Sequence, residues 1–301
     1  MNTSAEHNLE TRALFFRKVR EYFRKKNVLE VDVPILNPYA PIDRHIEVIK
    51  TSCGYLHTSP EYGIKILLSK IQRDMFAMSH VFRKNEKGAL HNQEFTMVEW
   101  YRLSKEYFSF IEEVLDFCLL FLGSRNKTFI TYDDAFLQYA AIDLETAQEK
   151  DFGEALENKN ISYSDKVDLK DLVLTSIIEP QFTKENLTVL FDYPKEEAAL
   201  AKTYHNGKKI VAKRFEIYCQ GVELANGYDE LADKNILKER LENESVLYQK
   251  NFQTKLEIDP ALLNAMSTFP QCCGVAVGFD RLLMLHLQKK SIQEILPLTL
   301  Y

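Results

Sequence analysis

The stretch from Phe82 to Arg102, FRKNEKGALHNQEFTMVEWYR, sets the strongest limit on what this chain can fold into. Read with period two, Phe95, Met97, Glu99 and Tyr101 fall on one face of a strand, and Thr96, Val98, Trp100 and Arg102 on the other. A carboxylate in line with three large side chains is not an ordinary core pattern. Burying it alone would cost on the order of several kcal/mol. Its face should therefore meet a cation, a ligand or water. A second arrangement satisfies the same pattern: an amphipathic strand with Glu99 solvated at a sheet edge.

A chain of 301 residues with 46% hydrophobic content can fill a sizeable core as one large domain or two ordinary ones. The net charge of −6 excludes a generally basic surface and argues against a protein built to grip nucleic acid, while leaving room for a local basic patch. Cys53, Cys118, Cys219, Cys272 and Cys273 show no CxxC or His–Cys metal spacing, which fits reduced, mostly buried thiols in a cytoplasmic compartment. The N-terminal MNTSAEHNLE has no apolar signal core. The apolar window Val114 to Leu122 is broken by Asp116 and is too short to span a bilayer, so no membrane partner is expected.

Periodicity predicts an amphipathic helix over 11–26, then VLEVDVPIL as a strand ended by Pro34, which cannot donate to a ladder. Short strands at 55–58 and 74–83 flank a helix over 60–70, and a long helix covers 104–122. The region 125–191 reads as mixed, helical and charge-rich, an insertion or helical cap. Strands at 214–218 and 222–224, a charged helix at 233–249, the strand GVAVG and the helix FDRLLMLHL complete the chain. With no repeat or low-complexity linker, one α+β domain with a largely antiparallel sheet flanked by helices is the simplest architecture.

Three constellations carry chemistry. A tight hairpin near Cys219 to Gly221 places Glu216 and Glu223 on neighbouring strands, where two carboxylates repel unless a cation intervenes or one is protonated. Such oxygen donors suit Mg²⁺; two exposed hairpin glutamates are the alternative. Asn226 to Glu230 adds a polar turn. In GVAVGFDRLLML, Gly274 and Gly278 bracket a short strand, Gly278 admitting a ligand close to the backbone. Arg281 lies in the first turn of the following helix, where the dipole favours a phosphate, unless Asp280 and Arg281 are plain capping and surface residues. In HTSPEY, Ser59 and Pro60 form an N-cap and first helical position that place Glu61 at a helix start, in reach of a ligand's amino group. GxxxxGK[ST] and GxGxxG loops are both absent, so any ATP must be held by the sheet itself.

In this order the segments resemble the catalytic domain of class II aminoacyl-tRNA synthetases, and within them the lysyl-tRNA synthetase group. VLEVDVPIL is similar to the first class II motif, which in the family forms a homodimer interface; FRKNEKGALHNQEFTMVEWYR is similar to the second and GVAVGFDRLLML to the third. HTSPEY, YPKEEAALA from Tyr193 and GVELANGYDEL are similar to elements of the lysine-type subgroup. The first motif arrives by about residue 30, leaving no room for the anticodon-binding OB-fold of true lysyl-tRNA synthetases. A stand-alone domain of this kind resembles the elongation factor P (R)-β-lysine ligase family. The resemblance implies a single catalytic domain over 1–301 with a helical insertion at about 125–190. It also implies ATP and Mg²⁺, activation of (R)-β-lysine as an adenylate, transfer to a lysine of elongation factor P, a homodimer, and no tRNA. The competing readings are a truncated ligase for α-lysine or another acceptor, and a silent paralogue that binds a partner.

Carried over by position, the resemblance implies that Arg83 meets the α-phosphate and Arg281 the γ-phosphate as the catalytic pair. Phe95 would stack on adenine, His91 and Asn92 would close the loop over ATP, Leu224 and Gly278 would line the nucleotide site, and Glu216 and Glu223 would hold Mg²⁺. Glu230 and Tyr101 would take the substrate's terminal ammonium, with Ser59, Pro60, Glu61, Glu99 and Asn226 around its other amino group and carboxylate. Asn85 stands where the family has the glutamate of Arg-x-Glu; its amide can accept from the adenine amino group, or Glu86 takes the role. Ala276 replaces a glycine usual in lysyl-tRNA synthetases, and its methyl is expected to favour a β-amino acid.

Overall fold

The computed structural model describes residues 3–164 and 167–298. Contacts divide the chain into two compact units, one made of Met1–Gly123 with Gly227–Tyr301, the other of Ser124–Asn226.

The first unit begins with α1 (Thr3–Lys25), whose Phe15, Val19 and Phe23, four apart, form the buried stripe of an amphipathic helix. Phe23 stacks on Phe76 at 4.2 Å and Phe15 on Phe121 at 4.3 Å. The segment VLEVDVPIL is ladder-paired only at β1 (Leu29–Glu30) and again at β2 (Leu36–Asn37), a shorter pairing than the expected strand. Pro34 has no amide to continue it. Strands β2, β3 (Ile49–Thr51) and β4 (Gly54–Leu56) make a small sheet in the order β2-β4-β3. Helix α2 (Glu61–Ile71) leads to β5 (Met75–Phe82), β6 (Glu94–Leu103) and the buried α3 (Tyr107–Leu122).

The second unit holds β7 (Asn126–Thr131), α4 (Tyr132–Ala140), α5 (Glu149–Asn158), α6 (Leu169–Val173), β8 (Asn186–Pro194), β9 (Thr203–His205) and β10 (Ile210–Cys219). The region read as helical thus also contains strand: β7 pairs parallel with β8, Thr128 opposite Thr188. Both are short β-branched runs whose partner lies far along the chain, so local pattern undervalues them. Gln220 and Gly221, with φ of 59° and 70°, make the tight turn from β10 into β11 (Val222–Asp229), the combination a type I′ hairpin demands. Strand β11 runs through Asn226 to Asp229, where a polar turn was expected, and returns the chain to the first unit.

There α7 (Lys234–Phe252) and α8 (Pro260–Ala265) precede β12 (Cys272–Gly278) and α9 (Phe279–His286). In this unit β6 is central, antiparallel to β5 on one side and to β12 on the other, with Ala77 and Ala276 both opposite Glu99. β1 with β5 and β7 with β8 pair in parallel, while β10 with β8, β10 with β9, β12 with β6, β2 with β4, β3 with β4 and β5 with β6 are antiparallel. Cys118, Cys219, Cys272 and Cys273 are buried thiols and Cys53 is exposed. Among the described residues no helix is long and apolar enough to cross a membrane.

Candidate active site

A central strand cannot solvate Glu99 at an edge, and its side chain is 2% exposed. It is paired instead. Tyr101 donates its hydroxyl to Glu99 Oε1 at 2.7 Å, and Ser59 donates Oγ to Oε2 at 2.6 Å. The same Ser59 Oγ accepts the amide of Glu61 at 3.0 Å, but Pro60 rather than Ser59 stands at the N-cap and the helix begins at Glu61, one residue later than HTSPEY suggested. One turn into α2, the Lys65 ammonium lies 2.6 Å from Glu61 Oε1 and 2.7 Å from Glu230 Oε2. Glu230 follows β11, its amide donating to the Cys272 carbonyl at 3.0 Å.

Gly274 creates room for this cluster. A Cβ there would fall 2.4 Å from Glu230 Oε1 and 2.4 Å from Tyr101 Cε1. Only a bare backbone lets the carboxylate and the phenol share the space beside β12. Ala276, two residues on and opposite Glu99, puts a methyl at the neighbouring register position.

The buried Glu99, Glu230 and Lys65 and the half-buried Glu61 thus form one cluster of three carboxyl groups and one ammonium. Burial lifts the Glu99 carboxyl to about 8, the Glu61 charge adding to the rise while Ser59 and Tyr101 oppose it. Burial likewise lifts Glu230 to about 7 against the pull of Lys65. The Tyr101 phenol is pushed well above its ordinary value by burial and then by Glu99. Burial alone would lower Lys65, but Glu230 and Glu61 more than offset it and hold the ammonium charged. The cluster sets three carboxyl groups against one ammonium.

Two arginines make a second cluster in the same unit. Arg83 follows β5, its amide donating to the Gln93 carbonyl at 2.9 Å and closing the neck of the loop. Its guanidinium lies over the Phe95 ring at 5.1 Å, with Nη1 3.5 Å from Glu86. Arg281, in the first turn of α9, places Nη2 2.9 Å from His91 Nε2. Burial and then the Arg281 charge lower the His91 pKa, so a neutral imidazole receives that contact. The loop is pinned from behind: Ile292 donates its amide to the Ala89 carbonyl at 2.7 Å, and Gln293 donates to Asn92 Oδ1 at 3.3 Å. A Cβ on Gly278 would meet only the Arg281 side chain at ordinary contact distance, so among the two strand glycines Gly274 is the sterically demanded one.

Asp280 is no surface cap. It is 1% exposed, paired with Arg12 at 2.5 Å and accepting the Thr96 amide at 2.6 Å, while Arg12 Nη2 donates to Thr96 Oγ1 at 2.8 Å. Asn85, in the left-handed region at φ 63°, turns its amide to Glu47 Oε2 at 2.7 Å, and Lys84 reaches Oε1 of the same carboxylate at 2.5 Å. Glu86 instead faces Arg83.

In the second unit Glu216 is 5% exposed. Its Oε1 accepts from Arg214 at 2.6 Å and from Asn226 at 2.8 Å, and its Oε2 accepts from Tyr218. The ladder register shifts between Ala212 and Phe215, and this bulge aims Arg214 across Tyr193 at 4.4 Å. Burial raises the Tyr218 phenol most, with Glu216 next and Glu223 a smaller contributor. Leu224 is buried beside it, and Asn226 Oδ1 is buried with no hydrogen-bond partner among the described residues. Glu216 keeps acceptor capacity on Oε2 beyond Tyr218. That fits a Mg²⁺ ion that takes one or two protein carboxylates and completes its shell with phosphate and water. Among the described residues no group of three His, Cys, Asp or Glu forms a self-sufficient metal cage.

Sequence reasoning passed over Lys65, Arg12, Arg214 and Glu47. Lys65 left a signal, a lysine between Ile64 and Leu68 on the helix face that should be apolar.

A mainly antiparallel sheet with helices around it, two arginines at a strand–loop–strand and a strand–helix junction, and a mostly buried acidic cluster around Lys65 fit a class II synthetase-type catalytic fold. The family described as tRNA synthetases class II (D, K and N) matches residues 1–300. The chain is 33% identical to the elongation factor P–(R)-β-lysine ligase of Pasteurella multocida over 96% of its own length and 94% of that protein's. It is 34% identical to the ligase of the same name from Actinobacillus succinogenes over 96% and 94%, and 34% identical to the ligase homolog of Aquifex aeolicus over 92% and 94%. The chain therefore belongs to the class II (D, K and N) synthetase family, in its elongation factor P–(R)-β-lysine ligase branch.

Proposed function

We propose that this protein is an ATP-dependent ligase that activates (R)-β-lysine as an aminoacyl-adenylate and transfers it to a lysine ε-amino group of elongation factor P. The observation that carries this reading is the acidic cluster of buried Glu99 and Glu230 with half-buried Glu61, matched to an amino acid bearing two ammonium groups. Family membership and the names of the relatives support the same substrate and acceptor.

In the first step the substrate carboxylate attacks the α-phosphorus of ATP and pyrophosphate leaves. Arg83 binds the α-phosphate and Arg281 the γ-phosphate, stabilising charge as it develops. Phe95 supports adenine, and His91, Asn92, Leu224 and Gly278 line the nucleotide. Asn85 contacts the adenine amino group through its carbonyl oxygen. Glu216 and Glu223 would hold Mg²⁺, which when bound would supply charge neutralisation to the phosphates. Glu230 and Tyr101 hold the terminal ammonium, while Ser59, Glu61, Glu99 and Asn226 orient the other amino group and the carboxylate. In the second step the deprotonated acceptor amine attacks the adenylate carbonyl and AMP leaves. Positioning and charge stabilisation do the work, and no residue acts as a dedicated general base.

The Ala276 methyl, opposite Glu99, favours the β-amino acid over α-lysine. The enzyme works as a cytoplasmic homodimer without tRNA. The test is (R)-β-lysine-dependent ATP–pyrophosphate exchange, followed by the mass increase of elongation factor P. Failure of every lysine isomer to support exchange overturns the reading, and equal activation of α-lysine overturns the role of Ala276.

A further inference from the structure

Lys65 has no part in the two chemical steps, yet its side chain is only 4% exposed, on the face of α2 that also carries buried Ile64 and Leu68. An ammonium in such a place is stable only if paired, and this one is paired twice, to Glu61 of its own helix and to Glu230 after β11. It holds one named oxygen of each carboxylate, Glu61 Oε1 and Glu230 Oε2. Glu230 Oε1 lies in the space kept open at Gly274, beside Tyr101.

We propose that Lys65 is the positioning residue of the amino-acid pocket: a resident ammonium that holds Glu61 Oε1 and Glu230 Oε2 in place and sets the positive charge the pocket accepts. The count is direct. Glu61, Glu99 and Glu230 bring three negative charges when ionised, Lys65 cancels one, and two remain for the two ammonium groups of a diamino acid. The groups facing this cluster are Ser59 before α2, Glu61 and Lys65 on it, Glu99 and Tyr101 on β6, and Asp229 and Glu230 at the end of β11. Filling the pocket then requires the protonated carboxyl to release its proton, which links substrate binding to pH. Specificity for a diamino acid rests on the ligase reading; the charge role of Lys65 does not.

The experiment compares wild type with Lys65→Met and Lys65→Arg. Isothermal titration with (R)-β-lysine in two buffers of different ionisation enthalpy counts the protons released. In Lys65→Met the affinity should fall by about ten- to a hundredfold, since a well-placed charge contact is worth that much. Proton release should rise, because Glu230 holds its proton more tightly when its partner is gone. The Lys65→Arg protein should recover part of both, and ATP affinity should stay within about twofold in all three. Unchanged affinity and proton release in Lys65→Met would overturn the proposal, as would equal losses for ATP and amino acid with proton release unchanged. If wild type binds no lysine isomer, the ligase reading fails by itself. The role of Lys65 is then read from melting temperature: a steeper fall between about pH 5 and about pH 8 in Lys65→Met supports it, and a parallel curve sinks it.

Discussion

Asp280 Oδ2 accepts the backbone amide of Thr96 at 2.6 Å while its Oδ1 holds the guanidinium of Arg12 at 2.5 Å. Thr96 follows Phe95 and Asp280 precedes Arg281, so one buried carboxylate fixes the spacing of a ring on β6 and a cation on α9. Breaking such a pair by removing one partner costs about 3–5 kcal/mol, because the remaining charge stays buried. Asp280→Asn should lose stability of that order in urea unfolding. The surviving folded protein should show a larger rise in KM for ATP than for the amino acid. Combining it with Arg12→Met should recover part of the stability, since no lone charge is left.

Gly274→Ala places a methyl where Glu230 and Tyr101 already lie. Overpacking of this kind costs about 1–3 kcal/mol. The larger effect should fall on the amino-acid site, with KM for (R)-β-lysine raised and KM for ATP little changed. Gly278→Ala, with ordinary contacts only, should be mild on both counts.

Stability of the ligand-free protein should fall as pH rises. Glu99 titrates near about 8 and Glu230 near about 7 in the folded chain, both above the ordinary carboxylate value of 4.5. A raised folded-state value means that the native form binds the proton more tightly than the unfolded form. The contribution is therefore full below the ordinary value and lost as pH climbs through about 7 and then about 8. Melting temperature against pH should decline across that window, and Glu99→Gln should flatten the curve.

Arg83→Ala and Arg281→Ala should each lower the rate of ATP–pyrophosphate exchange by about 10²–10³, the usual loss when one charge-stabilising donor is removed. Melting temperatures near wild type would show that the loss is chemical. Lysine in place of Arg83 should rescue only a small part, since a point charge does not reproduce a planar fork lying over Phe95.

Local pattern made several of these features readable. Alternation placed Glu99 on the face of Tyr101, and HTSPEY announced a helix opening beside Ser59, one residue early. What stayed hidden depended on partners remote in sequence. Asp280 reads as a helix cap until Arg12 and Thr96 are seen around it. Lys65 stands out only as a lysine on an apolar helix face, and its partner Glu230 lies far along the chain. Strands β7 and β8 find each other across three helices, beyond the reach of any short window. Asn85 departs from the family pattern, and its contact with Glu47 could not be inferred from neighbouring residues.

The Arg12–Asp280 pair joins residues 268 positions apart, and Thr96 lies between them in sequence. The second unit, Ser124–Asn226, is synthesised before the residues that complete the first. A nascent chain can therefore display β6 with Arg83 and Phe95 while α9 is still unmade. Loop closure over such a separation is slow compared with local helix formation. Catalytic competence should thus emerge late, after the inserted unit has acquired its own structure, and a translation pause before residue 280 would yield a partly folded protein without its second arginine.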